Sequence, residues 1–205
     1  MKRLLAALLA LLLALPALAA DATADEATGI TARYLLMDAN GRAVSNEDFP
    51  GDFQLIAFGY TFCPDICPTT LAEMSVIMEK LGKDADRLQP LFITVDPERD
   101  TAAVLRNYTA FFHPRIMGLT GSAALVRRAA DSFKVRYEKV IEPGSPPNQY
   151  AVDHSAGMYL LGPDGRYLRK FAYATLPVEI AQRIGEIMAT TESRPSTRRS
   201  IPARE

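Results

Sequence analysis

The sequence predicts an α/β sandwich, a mixed central sheet flanked by helices, with an added β-hairpin at the N-terminal side. Three observations lead there. Two apolar runs of strand length, FQLIAFGY (53–60) and LFITVD (91–96), have the composition of strands buried on both faces. The segments between and after them repeat their apolar residues at helical spacing. Finally, a turn signal near the carboxyl end separates two short apolar runs and is followed by one more amphipathic helix. Strands that alternate with helices and finish in a hairpin and a helix call for a layered sheet of mixed strand direction.

Taken in order, ARYLLMDANGRAV (32–44) places Asn40-Gly41 between short apolar runs, a hairpin signal. After the first buried strand, Leu71, Met74, Met78 and Leu81 share one face of a helix that Pro68 is suited to begin. The second buried strand leads into two helices, TAAVLRNYTAFF and SAALVRRAADSF, with Thr101 and Ser122 at or near their N-caps. KVRYEKV alternates as a short strand, and IEPGSPPNQY reads as a loop. SAGMYLLGPDGRYLRKFAY is a hairpin turning at 162–165, and Pro177 opens a helix with Ile180, Ile184 and Ile187 on one stripe. This is the thioredoxin-like order, with both cysteines placed where a strand gives way to a helix.

The ends set the expected compartment. Lys2 and Arg3 precede an apolar run, Leu4 to Leu15, and Ala17 and Ala19 offer small residues for a cleavage after position 19. Residues 1–19 are therefore read as a signal peptide, with an uncleaved membrane anchor as the competing reading, and 20–31 as a flexible linker. The expected domain spans 32–189 and a polar tail follows over 190–205. The expected location is the periplasm. Removing Lys2 and Arg3 leaves 21 basic against 24 acidic residues, a net charge of −3 that gives no reason to expect nucleic acid as a partner.

Cys63 and Cys67 are the only two cysteines, and they share the loop FGYTFCPDICPTT. A bridge across so short a loop removes little entropy from the unfolded chain. Chemistry is the better reason for the pair. A helix N-terminus favours thiolates and so predicts lowered thiol pKa values, with Asp65 opposing. Two thiolates suit copper(I), zinc or an iron–sulfur cluster, and a third ligand would strengthen a metal reading. Of the two histidines, His113 precedes a proline at a helix end, where a capping role is the plainer one. His154 precedes the strand that enters the last hairpin, whose start borders the cysteine loop in this kind of sheet. Asp153 beside it is a hydrogen-bond partner for the histidine or simply a strand-end residue. Met74, Met78 and Met158 are placed in the core rather than on a metal. Asp96, Glu98 and Asp100 in VDPERDT receive no role beyond turn chemistry.

Together and in this order, CPDICPTTLAEM, TVDPERDT and VDHSAGMYLLGPDG resemble the Sco/SenC proteins, copper chaperones for the dinuclear copper centre of cytochrome c oxidase. The resemblance runs from about Ala32 to Met188. It implies a thioredoxin-like fold and one copper ion, Cu(I) or Cu(II), held by Cys63, Cys67 and His154. It also implies the copper-centre subunit of the oxidase as partner, with other periplasmic copper carriers or thiol reductants as further ones. Membrane contact is expected only through the oxidase or an uncleaved N-terminus. The chain departs from the family at Gly162, where an aspartate is frequent, and in an N-terminus that looks cleavable. A non-enzymatic carrier is thus expected, and the main rival is a thiol–disulfide oxidoreductase. Against that rival, the cysteines stand as CxxxC and 148–158 contains no proline. A peroxidase or a purely structural disulfide would leave His154 without a purpose.

Overall fold

The computed structural model describes residues 28–146 and 148–192. The leader expected over 1–19, the linker up to residue 27 and the tail beyond 192 lie outside the described residues. At the near edge of the linker Ile30 is buried, and the Thr31 and Ala32 amides donate to the Ser132 carbonyl at 3.0 and 3.2 Å.

The expected hairpin forms from β1 (Leu35–Met37) and β2 (Ala43–Ser45), which pair antiparallel. Its register sets Leu36 opposite Val44, both buried, while Leu35 and Met37 face outward. Asp38 shapes the turn, its Oδ1 accepting from the Asn40 amide at 2.8 Å and the Arg42 amide at 2.9 Å.

The main sheet has five strands in the order β5-β4-β3-β8-β9. β3 (Phe53–Gly59) is central and buried at every residue, as a mostly apolar run requires, and its one polar side chain, Gln54, accepts from the Tyr34 hydroxyl and donates to the Asn46 carbonyl. β4 (Leu88–Thr94) and β5 (Met117–Leu119) run parallel to it, whereas β8 (Met158–Leu161) and β9 (Tyr167–Phe171) run antiparallel. Among the described residues four helices complete the body: α1 (Ile66–Leu81), α2 (Ala102–Phe112), α3 (Ala123–Ser132) and α4 (Pro177–Glu192). A short 3₁₀ turn over Gly82–Arg87 returns α1 to β4. α1 packs along α4, α2 lies against β5, and α3 lies against β1. This is the α/β, thioredoxin-like arrangement that the order of elements predicts.

Both caps form as expected: the Thr101 hydroxyl accepts from the Val104 amide and the Ser122 hydroxyl from the Leu125 amide, each at 3.3 Å. Replacing Ser122 by alanine should cost about 1 kcal/mol, visible as a lower urea midpoint with an unchanged m-value.

Two strands escape the sequence reading. β5 has three residues and contains Gly118, too short to show a period. The glycine is there for packing, since a Cβ on it would stand 2.9 Å from the Cβ of Leu105 on α2. The other is β7 (Ala151–His154), which pairs antiparallel with β6 (Tyr137–Val140) in a ribbon outside the main sheet. His154 therefore ends a strand of its own instead of only preceding β8.

Strand direction decides what meets where. β3 and β4 are parallel, so the loops that follow them leave the sheet at one edge. β8 enters at that same edge, with Met158 paired to Ala57 near the end of β3. The cysteine loop, the segment Asp96–Asp100 and the chain from His154 to Met158 converge there.

Candidate metal centre

β3 ends at Gly59 and the chain loops through Cys63 into α1, which begins at Ile66 with Asp65 in the cap position. The helix starts two residues earlier than Pro68 suggests, so Cys67 is its second residue and Pro68 its third. The first turn closes on the Asp65 carbonyl, which accepts from the Thr69 amide at 3.3 Å. Proline is accommodated because the first four amides of a helix have no partner within it.

Cys67 is 1% exposed and packs against Gly59, while Cys63 is partly exposed. The Tyr60 amide hydrogen-bonds the Cys67 sulfur, but burial outweighs that bond and pushes the thiol well above its ordinary pKa; Cys63 and the Asp100 carboxylate add to the rise. The expected lowering is overturned at Cys67. Here removal from water exceeds what a helix terminus supplies.

His154 ends β7, opposite Tyr137 in the ribbon register. The ribbon is fastened beyond it by the Ser155 amide on the Arg136 carbonyl at 2.9 Å and the Arg136 amide on Ser155 Oγ at 3.0 Å. Nδ1 lies 3.1 Å from the Ser155 carbonyl and Nε2 lies 3.6 Å from Cys67 Sγ. A proton on Nδ1, donated to that carbonyl, leaves the Nε2 lone pair turned toward the sulfur. Burial lowers the ring's pKa, with the Ser155 carbonyl and the Asp153 charge opposing it, so the neutral form is favoured.

Among the described residues, Cys63, Cys67 and His154 form the one group of metal-binding type, their donor atoms all within 4.8 Å of one another. The set fits a soft ion. Bonds of about 2.0–2.3 Å to three donors in a trigonal array separate the donors by roughly 3.5–4 Å, and the Cys67–His154 distance of 3.6 Å falls there. Two sulfurs and an imidazole nitrogen suit copper(I) better than any hard cation.

The remaining candidates stand elsewhere. His113 is the C-cap residue of α2, its Nδ1 accepting from the Arg115 amide at 3.1 Å. Met74, Met78 and Met158 are buried in the core. Asp153 is exposed on β7.

The stretch that sequence reasoning left idle carries the support of the site. Asp96 and Asp100 are both buried. Asp96 accepts from Arg99 Nε, and from the Tyr150 hydroxyl at 2.8 Å. The Arg99 guanidinium then stacks on the Tyr150 ring at 3.6 Å and donates to the Tyr150 carbonyl at 3.0 Å, directly before β7. The Tyr60 hydroxyl accepts from the Val152 amide at 3.2 Å, joining the cysteine loop to the histidine strand. One signal was available: if two parallel strands are neighbours, charges just after the second lie beside whatever follows the first.

Comparisons with known proteins concern the chain as a whole. The SCO1/SenC family model matches residues 22–189. A SCO2-like protein of Rickettsia felis is 43% identical over 149 residues, which cover 73% of this chain and 72% of that one. Among solved structures, Bradyrhizobium japonicum ScoI with copper bound is 40% identical, with a TM-score of 0.69, covering 77% of this chain and 98% of its own. BsSco, a member of the Sco family of cytochrome c oxidase assembly proteins in which a disulfide switch was identified, is 27% identical at a TM-score of 0.60, covering 78% and 94%.

Proposed function

The chain belongs to the SCO1/SenC family, and from that premise we propose that it is a periplasmic copper chaperone, a carrier and not an enzyme. It takes up one copper ion through Cys63, Cys67 and His154 and delivers it to the copper-centre subunit of cytochrome c oxidase. The observation that carries this reading is the approach of His154 Nε2 to Cys67 Sγ at 3.6 Å, made by two segments 87 residues apart in sequence. Three donors suffice for copper(I) and leave a side open, and a recipient's own thiolates can replace them one at a time. Copper bound in ScoI supports the cargo, and the assembly role of BsSco's family supports the destination.

Anaerobic titration of the reduced protein with copper(I), against a chromophoric competitor, tests the site. Wild type should take up one ion, and His154→Ala should bind at least tenfold more weakly. Equal affinities would remove the histidine from the set. The rival role has one observation behind it, a partly exposed Cys63 whose sulfur lies within 4.8 Å of a second thiol. Robust metal-free reduction of insulin disulfides would promote that role over the carrier.

A further inference from the structure

Asp100 is fully buried, and the hydrogen bonds of its carboxylate go to two threonines. Oδ1 accepts from the Thr61 hydroxyl at 2.5 Å and from the Thr61 amide at 3.3 Å. Oδ2 accepts from the same amide at 3.1 Å and from the Thr94 hydroxyl at 2.7 Å. Its own backbone is held, the amide donating to the Asp96 carbonyl at 2.9 Å and the carbonyl accepting from the Thr120 hydroxyl at 3.0 Å. A carboxylate brought out of water is costly unless donors are arranged around it. Here most of the donor contacts come from one residue, and that residue lies two positions before Cys63.

The two sulfurs are anchored by different means. Cys67 is fixed by α1 and by its packing on Gly59. Cys63 lies in a loop, where its amide bonds to the Tyr60 carbonyl at 3.3 Å. We propose that Asp100 is a positioning residue for the dithiol: through Thr61 it holds the Cys63 end of the loop against the sheet and so sets how closely one sulfur is presented to the other. It deepens the copper reading, since a prearranged pair binds an ion more tightly, but its effect on the thiols needs no metal. A looser loop lowers the effective concentration of one thiol at the other.

The test uses metal-free protein equilibrated with reduced and oxidised glutathione. The Cys63 and Cys67 thiols form one S–S bond while the S–S bond of glutathione disulfide breaks, and two electrons and two protons pass to that disulfide, leaving two glutathione thiols. Thr61→Val removes the hydroxyl and keeps the amide and the side-chain shape; Thr61→Ser keeps both donors. Thr94→Val takes a donor from Asp100 without touching the cysteine loop. Thr61→Val should lower the equilibrium constant for disulfide formation about tenfold, the weight of one charge-assisted hydrogen bond, or ~30 mV in potential. Asp100→Asn should do the same where it folds, and Thr61→Ser should stay near wild type. Thr94→Val should lose thermal stability yet leave the thiol equilibrium within about twofold. An unchanged constant in Thr61→Val overturns the proposal, as does an equal change in Thr94→Val, which would mark the network as mere scaffolding. Because no copper enters the measurement, a chain that failed to bind the ion would still report on Asp100.

Discussion

Replacing Gly59 by alanine should lower stability by about 2–3 kcal/mol and weaken copper(I) binding, although no ligand is removed. A Cβ at this position would stand 2.6 Å from Cys67 Sγ and 2.8 Å from Phe92 Cε2. Gly59 closes the central strand, and Phe92 is fully buried on the next one, so neither backbone nor ring has room to yield. The sulfur is the softer neighbour. Moving it breaks its bond from the Tyr60 amide and shifts it relative to His154 Nε2. Urea unfolding and a copper(I) competition titration of the same variant read the two effects separately. A variant with the wild-type midpoint and affinity would contradict the packing described around this glycine.

Cys67→Ser should lose copper(I) more completely than any change around the site. Substituting the hydrogen-bond partner of a metal ligand typically costs 10–100-fold in affinity, and loss of a thiolate ligand should exceed that range. The hydroxyl that replaces it is a hard donor in a pocket that is 1% exposed. Stability should change far less than in Gly59→Ala, because serine fits the space. Retention of copper(I) within tenfold of wild type would show that the buried sulfur is not a ligand.

How far the sequence discloses this molecule differs from element to element. The long apolar run of β3, the isoleucine stripe of α4 and the Asn40-Gly41 turn are local signals, and each element forms where its pattern lies. β5 and β7 were not legible, because three or four residues carry no measurable period and their strand state comes from pairing with β4 and β6. At the site, the residue types announced themselves and their environment did not. A helix start next to Cys67 argued for an acidic thiol, but nothing local reveals that the same residue sits under β3 and out of water. Asp96 and Asp100 looked like turn residues since their partners, Tyr150 and Thr61, lie 54 and 39 positions away. Buried polar networks assembled from distant segments are what a local reading misses.

The unequal exposure of the two cysteines gives the centre a direction. Cys67 has its back to the sheet and Cys63 is partly exposed, so a visiting thiolate would meet Cys63 before Cys67. Cargo handed over from this pair would leave from the outside inward, with the inner sulfur the last to let go.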